Sequence, residues 1–226
     1  MSGQFEKIIE LGIPSNANQA TQLDIYLLKA NAYIQKNAYL LAEEQFQSAK
    51  EKFGDDIRVM NGLAQMALLN KDLTKARNII SQALANNPLN AQSNQISGLI
   101  YQADKQPDKA LIEFENAYQN APADPAIMRA LANSYAQAGN IPLASKIVSK
   151  IETQSPGSLQ TKLLKARLLA MSEKNIEADV LLTELSQTLS LADKTDNQYI
   201  SKISIVAGII AHLNQNYEVS VRELSR

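Results

Sequence analysis

Apolar side chains recur along this chain at helical spacing, and the helical stretches themselves recur. From about Leu23 to Gln35, Ile25, Leu28, Ala32 and Tyr33 fall on one amphipathic stripe, and a second such stretch runs from about Ala38 to Lys50. The pair then repeats: Ala42, Ala76, Ala110, Ala144 and Ala178 stand at intervals of 34 residues. One helical turn after each comes a bulky apolar residue (Phe46, Ile80, Phe114, Val148, Leu182), and at plus seven a further small or aliphatic one (Ala49, Ala83, Ala117, Ile151, Leu185). Twelve residues before each alanine lies another small side chain: Ala30, Ala64, Gly98, Ala132 and Ala166. Three residues beyond those come Tyr33, Ala67, Tyr101, Tyr135 and Leu169. A period of this length means one supersecondary unit stacked on copies of itself.

The period predicts five full units, each a helix, a turn, a second helix and a second turn, over residues 23–56, 57–90, 91–124, 125–158 and 159–192. Residues 1–22 form a lead-in with a degenerate partial unit, since Gly3 to Ile8 resembles a second helix whose first is missing. A polar insertion at 193–200 precedes a truncated sixth unit over 201–226, where Gly208, Ala211 and Leu224 continue the pattern. Stacked arrays close with polar capping repeats. Neither end reads as one, so the chain is expected to be a segment of a longer array.

Local signals agree with these boundaries. Asp72 precedes Leu73 as a helix N-cap, Asp55-Asp56 does the same for the next unit, and Gly139-Asn140 ends one helix and starts another. Pro107 and Pro142 occupy first-turn positions, where a missing N–H costs little. Gly54 holds the inter-unit place that Pro88, Pro122 and Pro156 fill later. The two sets of small residues are expected to face each other across each hairpin, because only Ala or Gly lets the helix axes approach closely.

Composition narrows the chemistry. The chain is 45% hydrophobic with a formal net charge of −1, and it holds no Trp and no Cys. Disulfides and thiolate metal sites are thereby excluded. Near-neutral charge argues against a nucleic-acid partner, whose phosphates demand clustered cations. No apolar run reaches the ~18 residues of a membrane span, and Met1 to Glu10 lacks the basic and apolar regions of a secretory signal. Asn and Gln are almost as numerous as the charged residues, so amides replace ions on much of the helical surface.

Catalytic constellations are missing. His212 is the single histidine, and no glycine-rich phosphate loop, H-E-x-x-H or calcium-loop pattern occurs. Glu43-Glu44 and Asp55-Asp56 are adjacent carboxylates, which on a helix do not face each other. No catalytic residue, metal site or cofactor is expected.

The alanine-centred units, from about Leu23 to Leu191 and on to Arg226, resemble tetratricopeptide repeats; the departures are the absent Trp and Lys29 and Lys165 at positions usually apolar. That resemblance implies an all-α fold, a right-handed superhelix (α-solenoid) of antiparallel helix pairs with about five full repeats and partial ones at both ends. It also implies a non-catalytic scaffold for protein–protein interaction. The segment from Thr161-Lys162-Leu163-Leu164-Lys165-Ala166 to Gly208 and Tyr217 looks like the exosortase-associated (PEP-CTERM) lipoprotein subgroup, although the signal and lipid-anchoring cysteine of that subgroup are absent. The subgroup implies a periplasmic setting in bacterial envelope, exopolysaccharide or protein-sorting machinery; the general family implies a cytoplasmic one.

In the family, the inward residues of each first helix line a groove, at unit offsets two, five, nine, twelve and thirteen. Carried onto this chain, those offsets mark Asn31, Arg58, Asn61, Gln65, Gln95, Gln102, Arg129, Asn133, Gln137 and Arg167 as candidate peptide-binding residues. An amide both donates and accepts, so a row of them can pair with the backbone of an extended peptide. Arg129 and Asn133 resemble one step of the dicarboxylate clamp of chaperone-binding domains, but Leu27 and Asn31 in the first unit do not complete it. Two other readings remain. Ile205, Ile209, Leu213 and Val221 could join copies into a homo-oligomer through terminal repeats, or the chain could be a regulatory subunit of an enzyme complex.

Overall fold

The computed structural model describes residues 2–14, 16–191 and Gly208. Among them are eleven α-helices and no strand. They divide into two compact bodies, one of the described residues up to Ala121 and one of those from Pro122. The first body holds α1 (Ser2–Ile9), α2 (Gln19–Gln35), α3 (Tyr39–Phe53), α4 (Ile57–Leu69), α5 (Leu73–Asn86), α6 (Ala91–Ala103) and α7 (Pro107–Asn120). The second holds α8 (Pro125–Gln137), α9 (Ile141–Gln154), α10 (Leu159–Met171) and α11 (Asn175–Leu191). In each body every helix packs chiefly on its neighbours in sequence, and first helices also touch each other (α4 with α6, α8 with α10). Among the described residues, each body is therefore an all-α stack of helix pairs, as the period predicts.

The small residues do what their spacing requires. Ala30, Ala42, Ala64, Ala76, Ala132, Ala144, Ala166 and Ala178 are completely buried, and Ala110 is 1% exposed. Around them lie the bulky residues one turn on, with Phe46, Phe114 and Val148 all buried. In the first body, Phe46 packs with Leu23, Val59, Leu63 and Met66. Its ring lies against the bare Cα of Gly62 on α4, where a Cβ would overlap it. The Phe114 ring crowds Gly98 in the same manner, 2.6 Å from an added Cβ. In the second body, Leu163, Ala166 and Ala170 pack with Ala178, Leu182 and Leu185.

Helix starts fall at one register. Asp56, Asn90 and Asp124 accept from backbone N–H groups two or three residues on, as do Asp72 and Asn140 before α5 and α9. The first pair departs from expectation: α2 begins at Gln19 rather than near Leu23, because Asn18 accepts from the Thr21 N–H and caps an extra turn. Likewise α3 continues past Lys50 to Phe53, until Gly54 at φ 71° ends it.

The turn inside each pair has a device that residue type conceals. Asn37, Lys71, Lys105, Gly139 and Glu173 all adopt positive φ, 57° to 76°, and they too are one period apart. After each, the next N–H bonds back five residues, as in Ala38 to Tyr33 O and Gln106 to Tyr101 O, both 2.9 Å. That is the 6→1 bond of a Schellman motif, which satisfies carbonyls left free at the helix end. The insertion at 193–200, the truncated sixth unit, His212 and the apolar set Ile205, Ile209, Leu213 and Val221 lie outside the described residues; Gly208 is helical and buried.

Candidate functional site

A helix turns about 100° per residue, so each first helix can be read as a wheel around its buried small residue. Asn61 and Gln65 on α4, Gln95 and Gln102 on α6, and Asn31 on α2 then fall in one sector on the same side. Within the first body, two sets of contacts tie successive first helices together near this sector. Arg58 Nη1 lies 2.7 Å from Asp24 Oδ1, joining equivalent positions of α4 and α2. Asn61 Nδ2 donates to Asn90 Oδ1 at 3.2 Å and to Gln92 Oε1 at 3.4 Å, joining α4 to the start of α6.

These same contacts sort the candidate residues. Asn61 is 1% exposed, and its Oδ1 accepts from Ser93 Oγ at 2.7 Å, so its amide is spent inside the stack. Arg58 is held by two carboxylates, with Nε also 3.1 Å from Asp56 Oδ1. Burial raises the Asp56 carboxyl, but hydrogen bonds from the Arg58 side chain and backbone outweigh it and hold the group below the ordinary aspartate value. Asn31 is exposed, while Gln65, Gln95 and Gln102 are half-buried. Gln102 has an interaction of its own.

The second body differs in charge. On α8, Arg129 and Asn133 are half-buried, Asn133 Nδ2 donates to the Arg129 carbonyl at 3.0 Å, and Gln137 is exposed and engaged elsewhere. On α10, Arg167 is half-buried and shares the offset of Asn133. Lys165 lies on the other side of the wheel and reaches Glu152 of α9 at 3.0 Å. Neither α8 nor α10 contains an Asp or a Glu.

Several residues important to this face escaped the sequence reading. Ser93 and Asn94 are buried in the first turn of α6, Asn94 donating to the Pro88 and Asn90 carbonyls at 3.0 Å. Asp24, at the second offset of the first unit, pairs with Arg58 at the second offset of the next. A small polar residue at offset three, next to an amide at offset five of the preceding unit, was the available signal. Among the described residues no group of three His, Cys, Asp or Glu is placed to hold a metal ion. No described helix is long and apolar enough to cross a membrane.

Comparison with known proteins accords with the geometry. One tetratricopeptide repeat model matches residues 27–91 and a second matches residues 101–168. Both are general to the repeat, and nothing found supports the exosortase-associated subgroup. No curated protein matches in sequence. Among solved structures, Pseudomonas aeruginosa pilF is 15% identical over 91% of this chain and 90% of its own, at a TM-score of 0.66. PilW, described as a widely conserved type IV pilus biogenesis factor, is 18% identical over 92% of this chain and 91% of its own, at 0.69. Human IFIT1, solved as a dimer with PPP-AAAA, is 17% identical over 89% of this chain and 53% of its own, at 0.62. At such identities the likeness establishes the shared fold alone.

Proposed function

Because the chain belongs to the tetratricopeptide repeat family, more than half of it being covered by that family's models, we propose that it is a non-catalytic scaffold holding a protein or peptide segment against its first-helix faces. The observation that carries this reading is that Gln65 and Gln95 are half-buried in the first body, as are Arg129, Asn133 and Arg167 in the second. A half-buried side chain has less rotamer freedom to lose when a ligand arrives. Their heads are donors and acceptors of the kind an extended backbone pairs with. Asn61 and Arg58 serve the stack instead of the ligand.

A peptide library screened on the full chain tests the proposal. Substituting Gln65 and Asn133 by Ala is expected to weaken capture, whereas Asn61→Ala acts through stability. Unchanged affinity in the Gln65/Asn133 variant, with helix content intact, removes the face from consideration. PilW is described as a type IV pilus biogenesis factor, which makes bacterial envelope assembly the setting to test for this chain. Fractionation of the producing cells checks that setting, and recovery from the cytosol alone contradicts it.

A further inference from the structure

We infer that the first body encodes the order of its repeats, each junction carrying a match that only the neighbouring unit supplies. The units are similar enough to be confused, because apolar contact between one hairpin and another does not by itself specify which two meet. Exchange of like units between copies is a characteristic failure of repeat chains. Two observations distinguish the junctions. The first is size. Phe46 of the first unit lies against the bare Cα of Gly62 in the second, where a Cβ would overlap its ring. One unit on, the same two offsets hold Ile80 and Ile96, buried in one cluster. Wrong pairings cross these sizes: Phe46 against Ile96 overpacks, and Ile80 against Gly62 leaves a void.

The second is polarity. Asn61 is 1% exposed, and its amide is satisfied by the next unit: Ser93 Oγ donates to its Oδ1 at 2.7 Å, and its Nδ2 donates to Asn90 Oδ1 at 3.2 Å. Asn90 Oδ1 also accepts the Ser93 N–H at 2.8 Å as the cap of α6, so the junction and the helix start share one acceptor. Ser93 itself is completely buried. At the offset of Ser93 the other units carry Ile25, Val59, Ile127 and Thr161. Three of these have no hydroxyl. Asn61 meeting one of them would keep a buried carbonyl without that donor, which disfavours the wrong pairing roughly tenfold or more. Thr161 comes nearest to an imitation, yet Arg129 stands one unit before it where an Asn would be needed, and its buried hydroxyl has no partner. Among helices that pack in register, a single buried amide is a known means of fixing which register forms.

The test levels both matches in the full chain. N61L/S93V copies the residues at these offsets in the preceding junction, Leu27 and Val59, and F46I/G62I copies the Ile80 and Ile96 match of the following one. In the quadruple variant the two junctions are therefore alike at all four positions. Tagged and untagged chains are unfolded together in urea, refolded and captured on the tag. Untagged chain retained beyond that seen when folded chains are simply mixed measures exchange between copies. Wild type is expected to show little excess and the quadruple variant about tenfold more, with helix content by circular dichroism kept. N61L/S93V alone is expected to raise exchange by a smaller factor without lowering the urea midpoint, because both polar partners are replaced together. Refolding of the quadruple variant as clean as that of wild type overturns the proposal, and so does equal exchange in both. If the quadruple variant does not fold, N61L/S93V decides alone. Loss of helix content in N61L/S93V also overturns it, since Asn61 would then hold the stack together instead of ordering it. None of these outcomes depends on what the groove holds.

Discussion

Replacing Gly62 by Ala sets two effects of opposite sign against each other. In a helix interior Ala is favoured over Gly by about 1 kcal/mol, so on propensity alone the substitution stabilises α4. The added Cβ, however, would overlap three ring atoms of Phe46, and Phe46 is itself 3% exposed. An aromatic ring walled in on all sides cannot retreat as a lysine tip could, so α3 and α4 must separate. Overpacking of this kind costs about 1–3 kcal/mol, and overlap with three ring atoms at once points to the upper end. The net expectation is destabilisation by roughly 2 kcal/mol. Removing the ring reverses the sign. Phe46→Ala costs about 3–5 kcal/mol alone, but in that background Gly62→Ala is expected to stabilise by about 1 kcal/mol. The coupling of roughly 3 kcal/mol is at the top of the range for contacting residues. Repeat arrays do not unfold as one unit, so the assay is native-state hydrogen exchange of the α4 amides beside urea titration by circular dichroism. A stabilising Gly62→Ala in the wild-type background, or additivity within about 0.5 kcal/mol, would refute the packing argument.

Other consequences are as open to measurement. Lys105 sits exposed at φ 58°, a conformation that costs an L-residue about 1–2 kcal/mol, so Lys105→Gly is expected to stabilise by about 0.5–1 kcal/mol once the entropy of glycine is deducted; a lower urea midpoint would contradict the turn assignment. Asn140→Ala removes the cap of α9, whose Oδ1 accepts from the Leu143 N–H at 3.3 Å, and is expected to cost about 1 kcal/mol, read from α9 exchange rates. Asn61→Ala strips partners from the first turn of α6 and is expected to cost about 1–3 kcal/mol, with α6 exchange accelerated more than that of α2. Burial raises the Glu113 carboxyl above its ordinary value, against bonds from Ser97 and Asn116. Its protonated form is thus favoured in the folded chain, so stability falls as pH rises from the unfolded glutamate value of about 4.3 through the folded one. Glu113→Gln is expected to flatten that stretch of the pH–stability curve and raise stability at pH 7; an unchanged curve would show that Glu113 takes no part.

The sequence by itself determined the helix pairs and their register, because that information is local and repeated. A small residue every 34 positions can be read without coordinates, since only Ala or Gly permits the approach of two helix axes. Caps such as Asp72 and Asn140 are equally legible, because one side chain satisfies a neighbouring N–H. The tertiary structure alone decided the rest. Positive φ at Asn37, Lys71, Lys105, Gly139 and Glu173 is imposed by the closure of each helix pair, so residue identity at those positions varies without signalling it. The offsets likewise treat Asn61 and Gln65 alike, yet stacking buries the Asn61 amide against Ser93 and leaves Gln65 only half-buried. Charge followed the same logic: the offsets mark Arg58 and Arg129 alike as candidates, and only the packed structure brings Asp24 of the preceding repeat onto Arg58. Whether a polar group is available to a ligand depends on which residues of the next helix meet it, and that is a property of the packed stack.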